Sequence, residues 1–93
     1  MNDSEKQARI FRVLAAGTRV RIIEHLKRRS LCVNALSRVL EITPAAVSQH
    51  LRVLRDADVV FADKQGYFVH YRLNEKTLTE WYQTTKSLLE IKE

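Results

Sequence analysis

The side chains best suited to chemistry lie in one short stretch near the middle of the chain. Ser48, Gln49 and His50 are consecutive hydrogen-bonding residues. Two cations, Arg52 and Arg55, follow them. Hydroxyl, amide and imidazole groups can bond to base edges in the major groove of DNA, and guanidinium groups can bind phosphates. The pattern indicates nucleic-acid recognition, and the alternatives are a solvated helix face for the three polar residues and solubilising charges for the two arginines.

No other set of residues has the spacing of a catalytic or metal site. The sequence lacks paired carboxylates in a motif, a nucleophile elbow and a phosphate-binding loop, so we expect no enzyme activity. The three histidines (His25, His50, His70) and the one cysteine, Cys32, fall on different predicted elements without an i, i+4 pair. We therefore expect neither a metal ion nor another cofactor.

The elements predicted around the polar stretch form a helix-turn-helix. Thr43-Pro44 is the clearest helix start, because Thr can cap free backbone amides and Pro fits the first helical position. The helix that follows spans roughly 44–57. Its apolar inner face consists of Val47, Leu51 and Leu54. A first helix over roughly 34–41 precedes it, joined by the tight link Glu41-Ile42-Thr43.

A β-hairpin is predicted after Asp58, where the period of the apolar residues changes from 3.6 to 2. Its turn is predicted at Lys64-Gln65-Gly66. The second strand is predicted to place Tyr67, Val69, Tyr71 and Leu73 on one face. A hairpin directly after a recognition helix is a wing, whose tip can reach an adjacent groove or the DNA backbone. The residues predicted to contact DNA are Thr43, Pro44, Ala45, Ser48, Gln49, His50, Arg52, Lys64, Gln65 and Gly66.

Three further helices and a short extended segment complete the prediction. Apolar stripes predict one helix before Gly17-Thr18, one after it and one at the end of the chain. The segment Leu31-Cys32-Val33 is predicted to be extended. The predicted helix caps are Asp3 or Ser4, Thr18, Asn34 and Asn74. The fold class is therefore mainly α with a β-hairpin wing.

Size and composition limit the class of protein. We expect the 93 residues to form a single domain over 1–93. A chain this short buries only about 60–65% of its unfolded surface, which favours an oligomer. One cysteine excludes an intramolecular disulfide. The sequence has neither a signal-peptide core nor an apolar run that could span a membrane, so we expect a cytoplasmic protein without a membrane partner.

Collinear stretches over nearly the whole chain resemble the ArsR/SmtB family of bacterial winged-helix transcriptional repressors. The most specific are Val47-Ser48-Gln49-His50-Leu51-Arg52-Val53-Leu54-Arg55 and the segment 66–73. The resemblance implies a homodimer, built from the first and last helices, on a double-stranded DNA operator with dyad symmetry. It also implies release from DNA by an inducer, whose identity the sequence leaves unknown. The residues predicted at the dimer interface are Phe11, Leu14, Leu78, Trp81, Tyr82 and Leu88.

The usual metal sites of that family are altered in this sequence. A Cys-Val-Cys pair that suits soft metals corresponds here to Cys32-Val33-Asn34, and an amide is a poor ligand for soft ions. The zinc site of the last helix aligns with Glu75, Thr77, Leu88 and Ile91, three of which cannot serve as ordinary ligands. Cys32 keeps three interpretations: a small buried residue, a thiol or redox sensor, or a residual metal ligand.

The net charge of +5 is compatible with a nucleic-acid partner but is unevenly distributed. Residues 1–40 hold 9 Lys and Arg against 3 Asp and Glu, whereas residues 41–73 hold 4 of each. Candidates for flanking phosphate contacts are Arg19, Arg21 and the cluster Lys27-Arg28-Arg29. The alternative function is a winged-helix module that binds another protein or responds to thiol chemistry through Cys32.

Overall fold

A computed structural model describes residues 2–92. Within this range the chain forms five helices and a three-stranded sheet, in the predicted order. The elements are α1 (Asp3–Leu14), α2 (Gly17–Leu26), β1 (Leu31–Cys32), α3 (Val33–Leu40), α4 (Pro44–Asp56), β2 (Val60–Gln65), β3 (Phe68–Leu73) and α5 (Glu75–Leu89). The predicted fold class, a mainly helical winged helix-turn-helix, is confirmed.

The core is built around α4. Its predicted inner face of Val47, Leu51 and Leu54 is confirmed, because all three side chains are almost fully buried. They join one apolar cluster with Ile22 of α2 and Leu36 of α3, which are also fully buried. Full burial of an aliphatic side chain stabilises a fold by about 1.5–3 kcal/mol, so these contacts fix which face of α4 turns to solvent.

The sheet has the strand order β1-β3-β2, with both pairings antiparallel. β2 and β3 form the predicted hairpin, hereafter the wing. Its turn lies at Gly66-Tyr67 and not at Lys64-Gln65-Gly66, because β2 continues to Gln65, which pairs with Phe68. Gly66 adopts a positive φ of 64°, which is typical of the first turn residue in a two-residue hairpin loop. Tyr67 is therefore an exposed turn residue and does not share the strand face of Val69.

Two of the predicted helix caps are confirmed. The Thr43 hydroxyl accepts a hydrogen bond from the Ala46 amide at 3.1 Å. The side chain of Asn74 accepts one from the Thr77 amide at 3.4 Å. Both residues precede a helix directly, and Pro44 occupies the first turn of α4 as predicted.

The other predicted caps are wrong. Asn2 caps α1 by accepting from the Glu5 amide at 2.9 Å, so Asp3 and Ser4 lie inside the helix. α2 begins at Gly17, one residue before Thr18, and has no side-chain cap. α3 begins at Val33 because β1 pairing extends through Cys32, which places Asn34 inside the helix.

The two terminal helices pack against each other and against one side of the core. The amide of Gln7 on α1 donates to the backbone carbonyl of Thr84 on α5 at 3.4 Å. Ile10 is the only fully buried residue of α1 within the described chain, and the described part of α5 has none. Both helices therefore retain apolar surface. Among residues 2–92, no helix has the length and apolar character needed to cross a membrane.

Replacement of Thr43 by Ala tests the cap of α4. Loss of the hydroxyl leaves the Ala46 amide without its side-chain acceptor, and we expect the free energy of unfolding to fall by about 1 kcal/mol. Urea denaturation followed by circular dichroism measures this change. Thr43→Ser keeps the hydroxyl and should remain close to the wild type; equal losses in both variants would contradict the assignment of the cap.

Candidate nucleic-acid interface

The face of α4 opposite the core carries a stripe of small and polar residues. Ala45, Ser48, Gln49 and Arg52 are all exposed. Their spacing of i, i+3, i+4 and i+7 places them on one side of a helix. Thr43 and Pro44 are exposed at the N-terminal end of the same helix. The structure therefore brings the predicted DNA-contacting residues of the helix together, with the exception of His50. We call Ala45, Ser48, Gln49 and Arg52 the α4 stripe.

A groove of about 580 Å³ runs along one edge of the α4 stripe. Its lining consists of Ser48, Gln49, Leu51, Arg52, Arg55, Asp56 and Tyr71. Two of these residues are exposed arginines on α4, and one is a half-buried tyrosine of β3. Tyr71 was not predicted as a site residue. Its position in the alternating strand was the available signal, but only the fold shows that it borders the same groove as residues of α4.

His50 differs from its exposed neighbours because it is half-buried. Its Nδ1 atom lies 3.3 Å from Nη1 of Arg19 on α2. Arg19 also donates to the backbone carbonyl of Arg12 at 3.2 Å and to that of Val13. One nitrogen of the predicted DNA-contacting imidazole is therefore engaged inside the protein.

The wing carries fewer available cations than its composition indicates. Nε of Arg72 lies 2.6 Å from Oδ2 of Asp63, and its guanidinium lies 4.4 Å from the centre of the Phe61 ring. Arg72 is thus held against β2. The predicted contact residues Lys64, Gln65 and Gly66 are exposed near the tip, beside the exposed Tyr67. Hydrogen-bonding and aromatic groups therefore dominate this end of the wing.

The basic residues of the first two helices differ in how they are engaged. Arg19 is half-buried and bonded within the protein, as described above. Lys27 forms an exposed ion pair with Glu24, with 3.3 Å between Nζ and Oε1. Arg21, Arg28 and Arg29 are exposed. The last three are the better candidates for phosphate contacts, since Arg19 already has three acceptors.

Cys32 is half-buried at the N-cap position of α3, where its backbone pairs with that of His70. Nδ1 of His70 is buried and makes no hydrogen bond with any described residue. Over residues 2–92, no group of three or more His, Cys, Asp or Glu side chains is arranged to hold a metal ion. The metal and thiol roles considered for Cys32 stay predictions.

Comparison with known proteins agrees with this geometry. Residues 17–61 match the family model described as bacterial regulatory protein, arsR family. The chain is 30% identical over 83 residues to the transcriptional repressor SmtB homolog of Synechocystis, a match that covers 89% of this chain and 63% of that protein. It is 38% identical over 69 residues to the transcriptional repressor SmtB of Mycobacterium tuberculosis, covering 74% of this chain and 51% of the relative. The chain thus spans between half and two thirds of the length of these two relatives.

A crystal structure described as a possible transcriptional regulator for arsenical resistance has the same fold. It superposes with a TM-score of 0.81 at 33% identity, covering 87% of this chain and 84% of the other. The matched proteins are described as regulators, which agrees with the expectation that the chain is not an enzyme. Sequence, fold and the exposed face of α4 lead to one conclusion: the chain belongs to the ArsR/SmtB family of winged helix-turn-helix transcriptional regulators.

Proposed function

We propose that this protein is a sequence-specific transcriptional repressor that binds a dyad-symmetric DNA operator as a homodimer. The observation that carries the proposal is the α4 stripe, a small and polar surface on a helix whose opposite face is locked in the core. Ala45 lets the backbone approach DNA closely, while Ser48 and Gln49 offer hydrogen-bonding groups to base edges.

The dimensions and charge of α4 suit this role. Its 13 residues span about 20 Å, and a helix of ordinary width fits the major groove, which is about 12 Å across. The first turn holds no acidic residue, so no carboxylate within that turn opposes its approach to phosphates. Arg52 and Arg55 are exposed on the same helix and supply cations for phosphate contacts.

The apolar surfaces of α1 and α5 support a homodimer. Phe11, Tyr82 and Leu88 are exposed, as is Leu89 beside them. Exposed apolar surface of this kind marks interfaces between subunits. The other predicted interface residues, Leu14, Leu78 and Trp81, are half-buried and pack against the protomer's own core. We infer that these three residues hold α1 and α5 against the core of their own protomer, while the four exposed residues contact the partner.

The proposal assigns no inducer. The Cys32-Val33-Asn34 segment offers one thiol, and α5 contains neither His nor Cys. Both facts support a repressor without the usual metal sites of its family. We expect the wild-type protein to remain on its operator when zinc, cadmium or arsenite is added, and Cys32→Ser serves as the variant that identifies any response through the thiol.

Replacement of Ser48 and Gln49 by Ala tests the recognition surface. Because the two side chains supply base contacts in the proposal, we expect affinity for the selected operator to fall by at least about tenfold. Fluorescence anisotropy measures Kd on a duplex that the wild-type protein selects from a random pool. Binding to unrelated DNA at low salt should change little, since the phosphate-binding cations remain.

The matched control replaces Gln83 and Ser87 by Ala. Both are exposed residues of the same types on α5. This variant should bind the operator like the wild type. Equal losses in the two double variants, or none in either, would place the recognition surface elsewhere.

Replacement of Leu88 and Leu89 by Glu tests the dimer. Four buried carboxylates per interface would be strongly unfavourable, so we expect the mass to fall from twice 10.9 kDa to that of one chain. Light scattering after gel filtration measures the mass. Val39→Glu on α3 is the control, because Val39 is 44% exposed and Leu88 is 49% exposed. A double variant that stays dimeric would refute an interface on this part of α5.

Replacement of Asp63 by Asn tests the charge on the wing. The change removes the anion that holds Arg72 and makes the wing more positive by one charge. We expect tighter DNA binding and a slope of log K against log salt that steepens by up to about 0.9 per protomer. Glu90→Gln, at the end of α5, makes the same change in net charge. An equal effect of both variants would show that net charge, and not the wing, is responsible.

A further inference from the structure

One polar contact joins three helices at the edge of the α4 stripe. Arg19 on α2 reaches two carbonyl groups at the end of α1, those of Arg12 and Val13, through Nη2 and Nε. Its remaining nitrogen, Nη1, lies 3.3 Å from Nδ1 of His50 on α4. The two bonds to fixed backbone carbonyls orient the guanidinium plane, so the third bond has a fixed direction as well.

The chemistry of this contact determines where the imidazole carries its proton. A guanidinium group has only N–H donors and keeps its charge, so it cannot accept a hydrogen bond. Nδ1 of His50 must therefore be the acceptor in the contact with Arg19. A neutral imidazole with an acceptor at Nδ1 carries its hydrogen on Nε2.

The Nε2 atom of His50 retains some exposure to solvent. It makes no hydrogen bond with a described residue, and within residues 2–92 the one buried side-chain nitrogen or oxygen without a partner is Nδ1 of His70. His50 follows Ser48 and Gln49 directly and is half-buried, so part of its ring reaches the surface beside the α4 stripe. An N–H donor is thus offered at the edge of the proposed recognition surface.

We propose that Arg19 is a positioning residue that holds His50 in its Nε2–H form, so that His50 recognises a hydrogen-bond acceptor on DNA. The acceptor is N7 or O6 of a guanine or an oxygen of the phosphate backbone, since both accept from N–H groups. This inference rests on the proposed function and adds to it a contact of defined polarity. It also makes the contact depend on the end of α1.

Two substitutions of His50 separate the DNA contact from the bond to Arg19. Gln places an amide near the position of Nε2 and keeps a donor for DNA, but it lacks the nitrogen that faces Arg19. Asn places its polar atoms near Nδ1, so it keeps an acceptor for Arg19 and offers nothing at Nε2. We expect His50→Gln to bind the selected operator within about threefold of the wild type, whereas His50→Asn and His50→Ala weaken binding by about tenfold or more.

Anisotropy titrations of the three variants give this ranking, and urea denaturation shows whether each variant is folded. If His50→Asn binds as well as or better than His50→Gln, the proposal is overturned and His50 serves only the internal contact. A wild-type protein that selects no duplex from the pool would instead refute the proposed function. The role of Arg19 could then still be tested, because NMR of the free protein needs no DNA.

Nitrogen-15 NMR of the imidazole in the free protein tests the role of Arg19 itself. We expect the neutral imidazole of His50 in the wild type to show one tautomer, with hydrogen on Nε2 and none on Nδ1. Arg19→Ala should give a mixture of the Nε2–H and Nδ1–H tautomers. Arg19→Lys should favour the Nε2–H tautomer only in part, because one ammonium replaces three guanidinium nitrogens. A hydrogen on Nδ1 in the wild type, or a spectrum unchanged in Arg19→Ala, would overturn the proposal.

Modified duplexes identify the acceptor. Replacement of single guanines by 7-deazaguanine removes N7, and replacement by 2-aminopurine removes O6. A methylphosphonate linkage replaces one phosphate oxygen by a methyl group and removes the charge. One of these modifications should weaken the wild type but not His50→Ala, since that variant has already lost the donor. If every modification weakens both proteins equally, His50 donates to none of the three acceptors and the proposal is wrong.

Discussion

The rotation of α4 about its own axis is fixed by three apolar side chains, and the rest of the structure depends on that constraint. Val47, Leu51 and Leu54 are buried against α2 and α3. Turning the helix by one residue would expose them and bury polar groups such as Ser48 without partners, at a cost of several kcal/mol. The core therefore determines which residues form the α4 stripe, so the proposed recognition surface depends on the packing behind it.

A second level of organisation is polar. The pairing of Asp63 on β2 with Arg72 on β3 links the two strands of the wing, and Arg19 links α4 to α1. Arg72 and Arg19 are therefore engaged within the protein, although composition alone would count both as available for DNA. Since residues 41–73 have equal numbers of acidic and basic side chains, the proposed recognition by this segment relies mainly on hydrogen bonding and shape. The exposed cations at the end of α2 can add attraction that depends on salt but not on sequence.

The sequence predicted correctly those features that depend on interactions between residues close together in the chain. Thr43-Pro44 identified the start of α4, because a cap and a first-turn proline act within a few residues. The cap of α1 was misplaced because Asn2, Asp3 and Ser4 are neighbouring polar residues that can each serve as a cap. The cap of α3 was misplaced because the pairing of β1 with β3 extends through Cys32. The contact between Arg19 and His50 links residues 31 positions apart, and no local pattern in the sequence indicates it.

In the proposed function, two copies of α4 contact DNA from a two-fold dimer. Protection of guanine N7 from dimethyl sulfate by the wild-type protein tests it most directly, because that atom lies in the major groove. On the operator selected by the protein, we expect two protected major-groove segments on one side of the duplex, about one helical turn apart. A single protected segment, or binding that leaves every guanine N7 accessible, would contradict it.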